Sequence, residues 1–236
     1  MKLDDLARVC IALGKEPDYF LQMGSMRSAA SVGMVMRAEV AALPQDDLRE
    51  SLEEFLNSVS ETAPTTAALP DLHHLRPEAA AREVLDIAGI SGPPVQLEDV
   101  CATLLMPIFW RDDFPDALSA VVLTIDDGSY AIGVNNSHSL RRRRFSIAHE
   151  LGHAVLRHEA SYYLEYKADD VGAGDPPGYR YTDEREANAF AAALLMDARW
   201  VRDDFAGGLR GVYDLAARYE VSEVAMGFRL TNLGLT

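Results

Sequence analysis

Cysteine is scarce in this chain. Its 236 residues contain two, Cys10 and Cys101, far apart and in no CxxC pattern, which excludes a disulfide scaffold and a zinc site built from thiolates. Long apolar runs are missing too: nowhere do about 18 apolar residues follow one another, and the opening MKLDDLARVC has no basic stretch leading into an apolar one. Neither a membrane span nor a secretory leader is therefore expected, and the setting that fits is a reducing cytoplasm. Positive charge is also short. Against 37 acidic residues stand 22 basic ones, a formal net charge of -15, so direct DNA binding, which needs clustered Lys and Arg against phosphate, is not expected. What is present is a chain 48% hydrophobic and 25% charged, sufficient for a sizeable core in one or two domains.

Apolar residues at i, i+3, i+4 and i+7 predict helices through LDDLARVCIALG, AASVGMVMRAEVAAL and DDLRESLEEFLNSV. The proline-bearing stretch 59–76 breaks that period and reads as a linker. Three units are expected: an N-terminal helical segment and linker over 1–70, a main domain over 71–200, and a C-terminal helical segment over 201–236. Within the second, PEAAAREVLDIAGI and QLEDVCATLL predict helices. MPIFW, SAVVLTI and YAIGV predict strands of a small, mainly antiparallel sheet, the last two joined by the hairpin signal DDGS. The expected fold class is α+β, mainly helical. Residues 161–181 show no period and read as a long loop.

The densest chemistry lies in RRRRFSIAHELGHAVLRHE, residues 141–159, for which Ser137 or Ser139 offers an N-cap. It contains His149-Glu150-Leu151-Gly152-His153, an HExxH match. On a helix, residues four apart lie about 40° apart around the axis and about 6 Å along it, so both imidazoles can converge on one ion. Glu150, about 100° from His149, can reach a water on that ion as general base without joining its ligands. Zinc lowers the pKa of such a water from 15.7 to about 7. Mn²⁺ or Fe²⁺ can occupy the same donor set. Gly152 removes bulk beside the metal. The four arginines near a helix N-terminus oppose its dipole and are expected to fan out to solvent or to acidic groups.

A catalytic site needs a third protein ligand. His158 points about 140° away from His153, which makes it a residue of the surface or one that supports a ligand from behind, and not a ligand itself. Downstream, in TDEREANAFAAALLM, Glu184 and Asn188 lie four apart. The pair resembles the Glu-x-x-x-Asp helix of thermolysin-like peptidases, in which the Glu binds zinc and the residue four on buttresses a histidine. Glu186, about 160° from Glu184, is the alternative ligand. Thr182 offers an N-cap for that helix.

With these residues in view, positions 77–235 resemble the ImmA/IrrE family of metallopeptidases. The elements that carry the resemblance are LEDVCATLL, FPDALSAVV, GVNNSHSLRRRRFSIAHELGHAVLRH, EREANAFAAALLM and LAARYEVSEVAMGFRLTNLGL. The resemblance implies a zincin-like domain in which His149, His153 and Glu184 bind Zn²⁺ and Glu150 is the general base. It also implies a protein substrate, an Xre-type helix-turn-helix repressor cut in response to DNA damage or mobile-element signals. Asp197 departs from the proline the family commonly has after Leu-Leu-Met. The segment LARVCIALGKEPDYFL resembles the last helices of an Xre-type module, truncated before any recognition helix; as helices that cap the peptidase or pair two copies, it predicts a homodimer contact.

Two further expectations concern the cleft. SAVVLTI or YAIGV could serve as the edge strand on which an extended substrate pairs. Tyr179, Tyr181 or His158 could support an oxyanion. The competing readings are a non-catalytic, zinc-stabilised regulator that binds a repressor or DNA, and the toxin of a toxin-antitoxin pair.

Overall fold

The computed structural model describes residues 46–61, 69–125, 129–158, 162–166 and 181–235. The helices expected before residue 46, with Cys10, lie outside them. Among the described residues there are eight helices and four strands: α1 (Asp46–Glu61), α2 (Pro77–Ile87), α3 (Leu97–Thr103), β1 (Ile108–Arg111), β2 (Leu118–Ile125), β3 (Ser129–Asn135), α4 (Leu140–Val155), β4 (Tyr162–Tyr166), α5 (Tyr181–Leu195), α6 (Ala198–Ala206), α7 (Val212–Tyr219) and α8 (Glu223–Leu233). No helix among them is long and apolar enough to cross a membrane.

The strands form one sheet in the order β1-β3-β2-β4. The pairs β2/β3 and β2/β4 are antiparallel, whereas β1 joins β3 in parallel, making the sheet mixed. This order corrects the expected edge strand: SAVVLTI (β2) and YAIGV (β3) both lie inside the sheet, and the edges are β1 and β4. Their unbroken apolar runs fit that position, because a strand covered on both faces has no solvent side to mark with polar residues. The second correction is β4 itself, five residues within the expected loop 161–181. YYLEY lacks polar–apolar alternation, and its strand character resides in the high β-propensity of tyrosine.

Alternation along β2 divides the core in two. Val122, with Ile132 and Val134 of β3, faces the larger cluster, which includes Ile147, Leu151, Phe190, Leu194, Tyr219 and Leu230. Leu118, Val121, Leu123 and Ala131 face Leu52, Phe55 and Leu56 of α1 together with Phe114. The sheet is thus sandwiched between α1 and the α4–α5 layer. Phe55 sits so near the sheet that a Cβ at Gly133 would come within 2.9 Å of its ring. α7 and α8 contribute Leu215, Tyr219, Met226 and Leu230 to the larger cluster. At the α5–α6 junction Asp197 caps α6, accepting from the Arg199 backbone NH at 2.8 Å. Burial alone would raise its pKa, but the hydrogen bonds from Arg199 and the charge of Arg82 hold it below the ordinary carboxylate range.

Candidate metal centre

α4 starts at Ser139, whose side chain accepts from the Arg142 NH. The arginines that follow do not fan out into solvent as a group. Arg142 donates to Ser119 Oγ on β2 at 2.8 and 3.1 Å. Arg143 donates to Asn136 and lies over the Trp110 ring, while the buried Arg144 reaches Glu220 at 3.4 Å. Arg141 is the exposed one of the four. These tethers set the roll of the helix against the sheet, and the roll decides where its next two turns point.

Those turns carry His149, Glu150 and His153, which are 2%, 0% and 1% exposed. α5 crosses this face, and Gly152 is what lets it approach. A Cβ there would stand 3.1 Å from the Phe190 ring and 3.2 Å from Ala187 Cα. The bulk removed by Gly152 therefore lies against α5 and not beside the metal, which corrects the expectation. The close crossing delivers Glu184: its Oε2 is 3.3 Å from His149 Nε2 and its Oε1 is 3.5 Å from His153 Nε2, while the two Nε2 atoms are 3.0 Å apart.

Two imidazole nitrogens and a carboxylate oxygen are the donors of a catalytic zinc site that keeps a fourth position open. Tetrahedral bonds of 2.0–2.1 Å place ligand atoms about 3.3 Å apart, which is the spacing of this triangle. Burial first, then the neighbouring His149 and His158, hold the His153 imidazole well below its ordinary pKa. It is accordingly neutral, the form that can ligate. The residues present thus fit a divalent ion of the zinc type.

The other ring nitrogens are also engaged. Asn188, one turn beyond Glu184 on α5, places Oδ1 3.1 Å from His149 Nδ1; an N–H donated there would leave Nε2 as the nitrogen able to ligate an ion. His158 Nδ1 is 2.9 Å from His153 Nδ1, and its Nε2 is 3.3 Å from Glu186 Oε2. The helical wheel misplaces His158 because the helix does not continue that far. α4 ends at Val155, Arg157 takes a left-handed φ of 53°, and the His158 NH returns to the His153 carbonyl at 3.1 Å, folding the ring back under the metal face. His158 is therefore a positioning residue on the far side of His153. Glu186 touches His158, not the His149/His153/Glu184 triangle. Tyr181, 67% exposed, opens α5 and lies beneath the Arg185 guanidinium; Tyr179 lies outside the described residues. Thr182 sits within the first turn of α5, its hydroxyl on Asp183.

Comparison with known proteins places the chain in a family. Residues 113–231 match the IrrE N-terminal-like domain, Peptidase M78. The chain is also 30% identical over 129 residues to the radiation response metalloprotease IrrE of Deinococcus radiodurans, an alignment that covers 53% of this chain and 35% of that protein. The chain thus spans about a third of the relative's length.

Proposed function

The chain belongs to the IrrE N-terminal-like, Peptidase M78 family of metallopeptidases, and from that premise we propose that it is a zinc-dependent endopeptidase. Its substrate in this reading is a helix-turn-helix transcriptional repressor, cut as part of a stress or mobile-element switch. The observation that carries the activity is the triangle of His149, His153 and Glu184 with the fully buried Glu150 on the same helix. That the similar protein of Deinococcus radiodurans is a radiation response metalloprotease supports the regulatory setting.

His149, His153 and Glu184 would hold the ion, which supplies Lewis acidity to a water and to the scissile carbonyl. Glu150 takes the proton from the attacking water and returns it to the departing amine, a shuttle in which one carboxylate acts first as base and then as acid. Its burial keeps bulk water from competing for that proton. Asn188 and His158 hold the two imidazoles in the tautomer that presents Nε2. An extended substrate segment could add to the outer edge of β4, which pairs with β2 on its inner side only among the described residues.

The test is incubation of purified protein with the repressor encoded beside it, with metal content measured in parallel. Wild type is expected to cut and to lose the cut on chelation; Glu150→Gln is expected to retain zinc and cut at no more than about a hundredth of the rate. Full cleavage by Glu150→Gln would end the proposal.

A further inference from the structure

On α4, Phe145, His149 and His153 succeed one another at four-residue spacing, and on α5 so do Glu184, Asn188 and Ala192. Because Glu184 meets both histidines and Asn188 meets His149, the two stripes face each other. They run on past the metal centre, where the Phe145 ring stands 6.3 Å from that of His149. Beyond this point the helices part around a cavity of about 650 Å³, whose far wall is α8. Its lining is more apolar than polar: Phe145 of α4, Ala192 of α5 and Val224 and Phe228 of α8 share it with Asn188 and Asn232. Val224 and Phe228 are 68% and 69% exposed and one turn apart on a helix, so they form one contiguous apolar surface beside the cavity.

The rim has one sign of charge. Arg141 and Arg185 line the cavity and are exposed, and among the described residues no carboxylate lines it, in a chain with 37 acidic residues against 22 basic ones. Among the described residues Arg141 makes no hydrogen bond or ion pair, unlike the three arginines after it. A groove walled by three helices, with an apolar stripe and flanking cations, has the form that receives an amphipathic helix.

We propose that this groove is an exosite that docks an amphipathic helix of the protein substrate, its apolar stripe on Phe145, Ala192, Val224 and Phe228 and its bordering carboxylates on Arg141 and Arg185. This rests on the reading of the adjoining centre as a peptidase, and deepens it by naming the substrate feature recognised. A docked helix is not itself cut, since the metal centre needs an extended segment. The groove instead holds the substrate while a neighbouring stretch enters the site. A second copy of this chain fits less well, because a symmetric contact would bring the arginine rim against itself. Nucleic acid fits less well because a phosphate backbone has no use for the apolar floor.

A fluorescein-labelled amphipathic peptide of about five helical turns, with Leu on one stripe and Glu on both borders, is titrated against the full chain by anisotropy. Two control peptides carry Lys at the borders, or Ser in place of Leu. The Glu-bordered peptide is expected to bind and both controls to bind at least about tenfold more weakly. Phe228→Glu, and independently Val224→Glu, should weaken the Glu-bordered peptide about tenfold or more with unchanged melting temperature. The pair Arg141→Glu with Arg185→Glu should turn the preference toward the Lys-bordered peptide. Equal affinity for the Glu- and Lys-bordered peptides would overturn the proposal. So would indifference to both α8 variants, displacement of the peptide by a short DNA duplex, or a wild-type dimer that Phe228→Glu converts to monomer. Glu150→Gln should bind the peptide as wild type does: peptide binding without substrate cleavage defeats only the peptidase reading, and cleavage without peptide binding defeats only the exosite.

Discussion

From Leu140 to Arg144, α4 is held by side chains that reach outward to other elements: Arg142 to β2, Arg143 to Asn136 and Trp110, Arg144 to Glu220. From Ser146 to Val155 every residue is buried, and the helix is held by contact, with α5 pressed onto Gly152. The first half can exchange one polar tether for another at small cost, because Arg142 and Arg143 are half-buried and the Glu220 partner of the buried Arg144 is 42% exposed. The second half cannot, since its His149 and His153, together with Glu184 of α5, hold three donor atoms within a few tenths of an ångström of the spacing a zinc polyhedron requires. The contrast teaches that the helix is aimed by its arginines and set by its packing, and each half is expected to fail in its own way.

The largest expected effect is on the packed half. His158→Ala removes the group beside His153 Nδ1 while leaving all three candidate ligands, and on the proposed reading is expected to weaken zinc binding about 10- to 100-fold, measured by competition with a chromogenic chelator. A role confined to packing would lower the melting temperature and leave the metal affinity alone, so the two readouts separate the possibilities. Gly152→Ala follows. Overpacking against Phe190 and Ala187 costs about 1–3 kcal/mol, of which roughly 1 kcal/mol is offset by the better helix propensity of alanine. A net loss of about 1 kcal/mol in urea unfolding, with a drop in zinc affinity as α5 is pushed away, would support the tight crossing. A stabilised variant with wild-type affinity would show that α5 can yield.

The order of these effects also explains what the sequence could and could not reveal. The spacing of His149, Glu150 and His153 is a property of one helix, and their convergence is legible from the period alone. Glu184 and Asn188 were legible as a pattern on a second helix, although which of Glu184 and Glu186 faces the metal depends on how α5 crosses α4, a matter that Gly152 and Ala187 decide through space. The position of His158 was hidden because a helical wheel presumes the helix continues, whereas Arg157 reverses the chain. Sheet order was hidden for a related reason: β2 and β3 are recognisable strands, but that β4 covers the outer side of β2 depends on a pairing between residues some forty positions apart, Val122 with Tyr163 among them.

The tethered half should respond more weakly and in an unusual order. Arg144 is buried with Glu220 as its ion-pair partner at 3.4 Å. Burial has lowered its pKa, yet a guanidinium stays charged at any ordinary pH. Removing only the carboxylate leaves that charge less compensated. Replacing the arginine by an apolar side chain of similar length removes the charge and its desolvation cost together. Glu220→Gln is therefore expected to destabilise by about 1 kcal/mol, a figure held down by the partial exposure of Glu220, and Arg144→Met to lie within about 1 kcal/mol of wild type in either direction. If Arg144→Met proved clearly the worse of the two, Arg144 would be holding the helix as firmly as the packed half does, and the contrast between the halves would fail.

The smallest effect is expected at the start of the helix. Ser139 accepts from the Arg142 NH at 3.4 Å, a long bond, so Ser139→Ala should cost about 0.5 kcal/mol, the low end for a lost N-cap. Its position makes the measurement informative beyond its size. The cap lies fourteen residues before His153, roughly 20 Å along the axis, and the outward tethers of Arg142 and Arg143 lie between. If aim is set by the arginines, Ser139→Ala loosens only the first turn: amide exchange rises near Arg141 and Arg142 while zinc affinity stays at the wild-type value. A loss of zinc affinity in this variant would mean that the helix start and the metal centre move as one body, and that the arginine tethers do not isolate the two halves of α4.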